Sequence, residues 1–162
     1  MTKAFTKVAL AATFATAAFA STGAQAATAT ATARAQILQQ LTVTRTADLD
    51  YATIVTGAAA STVVVAPNGT RTCGLGLVCT GTATAANFSV VGTIGQVATV
   101  SVPATVSLLS GANSMTSTLV SSTALMTLAA TNSFQVGGTL AVGASQADGA
   151  YAGVFTVTVN YQ

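Results

Sequence analysis

The end of the chain alternates strictly between two kinds of side chain, and this alternation constrains the fold more than any other feature. From Tyr151 to Tyr161 the odd positions carry mostly aromatic and β-branched residues, and the even positions carry mostly small or polar ones. A period of two is typical of a strand with one buried face. Asp148-Gly149 supplies a turn in front of it. We therefore predict a terminal strand that serves core packing or assembly through Phe155, Val157, Val159 and Tyr161.

Short runs rich in β-branched residues recur along the rest of the chain, separated by Gly, Pro or Asn. Pro67-Asn68-Gly69-Thr70 is a strong hairpin signal. Gly137-Gly138 is compatible with a two-residue hairpin or with one strand that contains a bulge. About eight to ten short strands without a convincing amphipathic helix indicate an all-β fold. A mature chain of this size fits an immunoglobulin-like (Greek-key) β-sandwich.

The first part of the chain has the organisation of an export signal. Lys3 and Lys7 precede an apolar run, and Ala24-Gln25-Ala26 resembles a cleavage site. We expect a cleavable signal peptide at 1–26, a low-complexity Ala/Thr lead-in at 27–35 and a β-sandwich domain at 36–162. The lead-in is interpreted either as a disordered tail or as an exchangeable strand. The apolar run is too short to span a membrane comfortably, and no later segment is long enough.

Charged residues become few and balanced once the signal is removed, because both lysines lie inside it. The remaining charged residues are Arg34, Arg45, Arg71, Asp48, Asp50 and Asp148. A mature chain without Lys, His or Glu has no basic patch, so nucleic-acid binding is not expected. A nearly neutral surface lacks charge repulsion between copies and suits a packed assembly.

Cys73 and Cys79 are the two cysteines of the chain. In a chain with an export signal, such a pair is predicted to form a disulfide. The spacing does not match the Cys-x-x-Cys redox motif, and the chain has no histidine to complete a metal site.

Groups that could support catalysis are scarce. General acid–base chemistry would depend on the aspartates, and no base is available to activate a serine. Asp48 and Asp50 lie two positions apart and would share one side of an extended segment, as a carboxylate pair or a calcium site would require. Alternatively, they solvate the entry to a strand. We expect a protein that is not an enzyme, without catalytic residues, cofactor or metal.

Several motifs together resemble a known family. They are Leu49-Asp50-Tyr51, residues 88–92, residues 134–140 and the terminal motif at 148–161. This order is similar to that of the exported bacterial proteins of the domain-of-unknown-function 4402 (DUF4402) family. The terminal motif is also similar to the ends of spore coat U-type proteins and chaperone–usher pilins. The resemblance implies an exported Gram-negative subunit with an immunoglobulin-like sandwich.

The resemblance has two departures that affect what is expected of this chain. Leu49-Asp50-Tyr51-Ala52 stands where related proteins often have Leu-x-Phe-Gly, which alters packing rather than fold. The lead-in offers only Ala and Thr before Arg34, whereas pilin extensions carry large apolar residues at alternate positions. An exchangeable strand would therefore use Ile37, Leu41 and Val43.

Two functions are compatible with these features. The first is a non-catalytic structural subunit of a bacterial cell-surface layer, pilus-like filament or extracellular matrix, secreted or surface-bound via the periplasm. Its partners would be other copies of itself or a periplasmic chaperone and usher. The second is a monomeric surface or periplasmic binding module, adhesin-like, that uses sandwich loops such as residues 73–79.

Overall fold

The computed structural model describes residues 25–162, which form an all-β structure of antiparallel strands, as predicted. Most of the expected signal peptide lies outside the described residues. The strands in this range are β1 (Thr42–Ala47), β2 (Thr53–Val55), β3 (Ser61–Val65), β4 (Arg71–Cys73), β5 (Val78–Thr80), β6 (Ala86–Val91), β7 (Val97–Ser101), β8 (Thr105–Ser110), β9 (Asn113–Ser121), β10 (Leu125–Thr127), β11 (Asn132–Val142) and β12 (Thr158–Tyr161).

The chain divides into two units at the end of the lead-in. One unit ends at Ala35, and its described residues, 25–35, are exposed and contain no strand. The other is the compact unit Gln36–Gln162, which contains every strand named above.

The strand β11 organises the largest sheet, which has seven strands. Its first half, residues 132–136, pairs with β6, and its second half, residues 138–142, pairs with β3. Residues 136–140 pair with β9 along the opposite edge. Beyond these neighbours, β1 lies outside β6, β4 outside β3, and β8 outside β9.

Gly137 and Gly138 lie inside β11, so the hairpin interpretation of this pair is wrong. A Cβ on Gly137 would clash with the carbonyl oxygen of Val65, where the edge of β11 passes from β6 to β3. A Cβ on Gly138 would clash with the hydroxyl of Tyr51. Glycine is needed at both positions because neighbouring groups fill the space of a side chain.

Two smaller sheets cover the large one. The first has the order β10-β7-β12, and the second consists of β2 and β5. The hairpin predicted at Pro67–Thr70 joins β3 to β4, with Gly69 at a φ of 85°. A second hairpin joins β8 to β9, with Gly111 in its turn at a φ of 57°.

The buried apolar side chains form two clusters. The larger cluster joins β6 and β11 of the seven-stranded sheet to the three-stranded sheet. Its buried members are Ala86, Phe88, Val90, Ala98, Val100, Leu128, Phe134, Val136 and Val159. The smaller cluster lies where β2 and β5 meet β3 and β11. Its buried members are Tyr51, Val63, Val65, Leu140 and Val142.

Within residues 25–162 the chain forms no helix with the length and apolarity that a membrane crossing requires.

Candidate functional site

The terminal motif has the inward and outward faces that its alternation predicts. Val159 is buried in the larger cluster, and Phe155, Val157 and Tyr161 pack against it. The ring of Phe155 meets that of Phe88 edge-on, with centroids 6.3 Å apart. The even positions from 152 to 160 are all exposed. The odd side chains therefore contribute to the core, as a half-buried strand requires.

Strand pairing covers less of this motif than the alternation predicts. The ladder with β7 begins only at Thr158, which lies opposite Ser101. Extending the register by two residues would place Thr156 opposite Pro103. Proline has no N–H with which to continue a ladder, so the pairing ends there.

The segment before β12, Gly153–Val157, is called the terminal segment here. Ala152, just before it, exchanges two backbone hydrogen bonds with Leu109 of β8. The chain thus leaves the seven-stranded sheet at Ala152 and joins the three-stranded sheet at Thr158. Among residues 25–162, none makes a backbone hydrogen bond with the terminal segment. The terminal segment is therefore not part of a described strand ladder.

The outer edge of β12 is also free, because β12 is the last strand of its sheet. The N–H of Val100 donates to the carbonyl of Ala124 on the β10 side, at 2.8 Å. The alternation of an antiparallel ladder then directs the backbone of Ser101 and Thr158 towards each other. By the same alternation, the backbone groups of Val157 and Val159 point to the free edge.

A second free edge belongs to β1, which pairs only with β6. Val43 lies in β1 opposite Val90, and Leu41 precedes the strand; both pack against the larger cluster. Ile37 lies outside any strand and is 93% exposed. The three apolar residues proposed for an exchangeable strand therefore occupy different environments, two within the fold and one on its surface.

The hydroxyl group of Tyr161 connects the end of β12 to the residues that precede β1. The hydroxyl donates to the carbonyl of Gln39 at 2.6 Å and accepts from the N–H of Thr93 at 2.7 Å. The N–H of Gln39 in turn donates to the hydroxyl of Thr93 at 2.6 Å. Gly92 makes room for this arrangement, since a Cβ there would lie 2.7 Å from the Tyr161 hydroxyl. The end of β12 is thereby fixed to the residues that lead into β1.

The predicted disulfide between Cys73 and Cys79 is present, with a Cα–Cα distance of 6.1 Å. It links β4 of the seven-stranded sheet to β5 of the two-stranded sheet. At the tip of the enclosed loop, Leu75 is 94% exposed. The bond holds the two-stranded sheet in place over the smaller cluster.

Tyr51 lies in the smaller cluster with its hydroxyl 2.5 Å from that of Ser117, which is also buried. Ser117 donates to the carbonyl of Thr118, so its oxygen accepts from Tyr51. Burial raises the pKa of Tyr51, and the hydrogen bond to Ser117 offsets only part of that effect. Tyr51 is therefore a packing residue whose polar end is satisfied internally.

The two aspartates considered as a carboxylate pair have different partners. Asp48 accepts an ion-pair hydrogen bond from Arg45 at 2.7 Å, and both side chains are exposed. Asp50 accepts from the N–H of Ala52 at 2.7 Å, in a turn where Ala52 has a φ of 57°. No group of three His, Cys, Asp or Glu residues that could hold a metal ion occurs between residues 25 and 162.

A cleft of about 540 Å³ opens beside the smaller cluster. One wall is the segment 49–56, and the other is the loop 146–151. Its floor is apolar and consists of Leu108, Met115, Leu140 and Val142. Next to these two walls in the chain, the N–H of Ser145 donates to the carbonyl of Gly57 at 2.9 Å.

The family model described as "Domain of unknown function (DUF4402)" matches residues 41–161. The chain belongs to the DUF4402 family. This confirms the family resemblance drawn from its motifs. Comparison with curated proteins and with solved structures found no significant match.

The DUF4402 match begins at Leu41 and ends at Tyr161. These are the two residues that pack against the larger cluster from the start of β1 and from the end of β12. The family domain thus includes both free edges, the disulfide and the cleft. Ile37 and the lead-in lie before the matched range.

Two features of the site were not anticipated from the sequence. The cleft is formed by segments that are far apart in the chain, so no local sequence pattern predicts it. The role of the Tyr161 hydroxyl depends on Gln39 and Thr93, which only the fold brings to it. The isolated Gly92 and the paired glycines of β11 were the available signals, because glycine in a strand often marks a close approach.

Proposed function

We propose that this DUF4402 protein is a non-catalytic, exported structural subunit of a bacterial cell-surface layer, pilus-like filament or extracellular matrix. The observation that carries the proposal is the terminal segment with β12, an unpaired edge whose inward side chains are already part of the core. Such an edge is a template for pairing with another chain. A neighbouring copy would add a strand there, with backbone hydrogen bonds supplying affinity and alternate side chains supplying register.

The immunoglobulin-like Greek-key sandwich predicted for this chain belongs to the same proposal. The packing of the three-stranded sheet against β6 and β11 supports a two-layer arrangement. Similarity to spore coat U-type proteins and pilins is proposed on the terminal motif alone. Partners would then be further copies, with a periplasmic chaperone and usher if a Gram-negative export pathway is used.

Export through the periplasm is proposed from the predicted signal peptide and is supported by the disulfide. Disulfides persist in oxidising compartments and are rare in the cytosol. A structural rather than enzymatic role is proposed because the chain has no histidine or glutamate and because Asp48 and Asp50 have separate structural partners.

The first test is electrophoresis of the purified protein without boiling. We expect a ladder of detergent-resistant species, because added strands are held by many backbone hydrogen bonds. A sharp monomer, together with monomeric behaviour in sedimentation, would reject the structural-subunit proposal in favour of a monomeric binding module. The cleft and the exposed Leu75 loop are the surfaces that favour such a module.

The second test places positive charge along the proposed edge. Val154→Lys with Thr156→Lys changes two exposed residues of the terminal segment, and charged residues discourage edge pairing. The matched control is Thr99→Lys with Ser101→Lys, two exposed positions on the central strand β7 of the adjoining sheet. We expect the edge variant to lose the ladder and the control to keep it. Equal loss, or no loss, would show that this edge is not the contact.

A further inference from the structure

The cleft beside the smaller cluster has the size and the lining of a small-molecule site. Its volume of about 540 Å³ falls within the range of roughly 300–1,000 Å³ that ligand pockets in proteins occupy. Such pockets are lined mainly by apolar side chains, with a few polar groups that fix the orientation of the ligand. The apolar floor and the charged rim of this cleft follow that pattern.

The floor is held by strands, so it is formed before any ligand arrives. Leu140 and Val142 lie on β11 and are buried in the smaller cluster. Leu108 and Met115 lie opposite each other in the ladder between β8 and β9. These two side chains are only half-buried, so they provide the apolar surface that a ligand would cover. Burial of this surface would favour binding of an apolar group.

Two carboxylates give the cleft a negative charge. Asp50 on the first wall and Asp148 in the opposite loop both line it, and none of the described residues that line it is Arg or Lys. Neither carboxylate takes part in a salt bridge among residues 25–162, where the one ion pair joins Arg45 to Asp48. The cleft therefore attracts a positively charged group to the rim of its apolar floor.

The neutral polar side chains in the opposite loop already bond to one another. The amide nitrogen of Gln146 donates to the hydroxyl of Tyr151 at 2.8 Å, and that hydroxyl donates to the carbonyl of Ala147 at 2.9 Å. The carboxylate of Asp50 accepts the N–H of Ala52 through Oδ1, which holds it against the first wall. An ionised carboxylate can only accept hydrogen bonds, so the complementary ligand group is a cationic donor.

We propose that the cleft binds a small amphipathic amine, an apolar chain or ring that carries a protonated amino group. The apolar part covers Leu108 and Met115, and the ammonium group lies towards Asp50 and Asp148. Hydrogen bonds between an ammonium and a carboxylate are charge-assisted and stronger than those between neutral groups. This binding activity goes beyond the proposed structural role, because a single copy contains the whole site.

Calorimetric titration of the full mature chain with octylammonium chloride tests the proposal. We expect one amine bound per chain, with an affinity that falls as salt is added, because salt screens exposed charges. Butylammonium has four fewer methylenes and should bind on the order of a hundredfold more weakly, since each buried methylene contributes about fourfold. Octanoate has a negative head group and should not bind. Equal binding of octylammonium and octanoate, or no binding of octylammonium, would overturn the proposal.

Substitution of the two carboxylates tests the position of the charge. Asp50→Asn and Asp148→Asn should each weaken octylammonium binding by about tenfold, because a neutral amide replaces a charged acceptor. Asparagine keeps an oxygen that can accept the N–H of Ala52, so the turn is preserved. The matched control is Asp48→Asn, which makes the same charge change at an exposed ion pair outside the cleft. Equal weakening by this control would overturn the proposal, because net charge alone would then explain the effect.

A cation placed in the floor tests the location of the site independently. Met115→Lys keeps an unbranched side chain but adds an ammonium group beside the cleft, so octylammonium binding should be lost. The control is Thr118→Lys, which adds the same charge at an exposed position of the same strand outside the cleft and should leave binding unchanged. Thermal unfolding shows that each variant is folded. Full binding by a folded Met115→Lys variant would mean that the amine binds elsewhere and would reject the proposal.

Discussion

At the scale of single residues, the buried Tyr51 shows how a polar group is accommodated in an apolar cluster. Its hydroxyl donates to Ser117, which passes the hydrogen bond on to the carbonyl of Thr118. Gly138 leaves the space that this chain of bonds occupies. A buried hydroxyl without a partner would cost about 1–3 kcal/mol, so the position of one glycine has an energetic consequence for the core.

This burial predicts a dependence of stability on pH. An unfolded tyrosine ionises near its ordinary pKa of 10.0, whereas burial raises the pKa of Tyr51 in the folded state. Well below pH 10, Tyr51 is protonated in both the folded and the unfolded state, and its contribution to the free energy of unfolding is fully present. As the pH rises from about 10 towards the folded pKa, the unfolded state releases a proton that the folded state retains, so stability falls.

Urea unfolding at pH 8 and at about pH 11 measures this effect. Tyr51→Phe removes the titrating group and should reduce the loss of unfolding free energy between the two values. At pH 8 the same variant should be less stable by about 1–2 kcal/mol, because Ser117 loses its donor. An identical pH dependence in both proteins would show that Tyr51 ionises equally in the two states.

At the scale of elements, the side chains of the terminal motif alternate over a longer stretch than its backbone is paired. Inward and outward faces alternate from Phe155 to Tyr161, but the ladder begins only at Thr158. The terminal segment is held by the side chains of Phe155 and Val157 rather than by a neighbouring strand, and the Tyr161 hydroxyl fixes the end of β12 that follows it. This makes the end of the chain both part of the core and an open edge.

The Tyr161 hydroxyl therefore carries a stabilising role that can be measured separately from its ring. Tyr161→Phe keeps the ring in the larger cluster but leaves the N–H of Thr93 and the carbonyl of Gln39 without this partner. We expect a loss of about 1–3 kcal/mol in unfolding free energy and faster hydrogen exchange at Thr93. Tyr151→Phe is the control, since its hydroxyl bonds only within the loop 146–151. Equal effects of the two variants would contradict a special role for Tyr161.

At the scale of the whole molecule, a short disulfide loop connects two sheets. Cys73 belongs to β4 and Cys79 to β5, so the bond fixes the two-stranded sheet against the seven-stranded one. The two-stranded sheet contributes Ile54 and Cys79 to the edge of the smaller cluster. The covalent link compensates for the small area that a sheet of two short strands can bury.

Replacing both cysteines by serine should lower the free energy of unfolding by about 2 kcal/mol, the value for a short closed loop when the bond acts through chain entropy. Urea unfolding under oxidising and reducing conditions measures this. The unchanged protein should lose a similar amount when reduced, and the variant should be indifferent to the reductant. A reductant effect of equal size in both proteins would mean that the disulfide is not its cause.

The sequence by itself determined the all-β class, the hairpin at Pro67–Thr70, the disulfide pair and the inward face of the terminal motif. These features follow from local rules. Alternation with a period of two predicts which side chains of a strand are buried, and turn residues predict where the chain reverses direction. The tertiary structure alone decided that Gly137-Gly138 continue one strand, that β12 begins at Thr158, and that Asp50 and Asp148 share a cleft. Each of these depends on which distant segment lies alongside, such as Val65 beside Gly137 or Pro103 beyond the end of β7. Alternation identifies the face of a strand, but it carries no information about the neighbour at its edge.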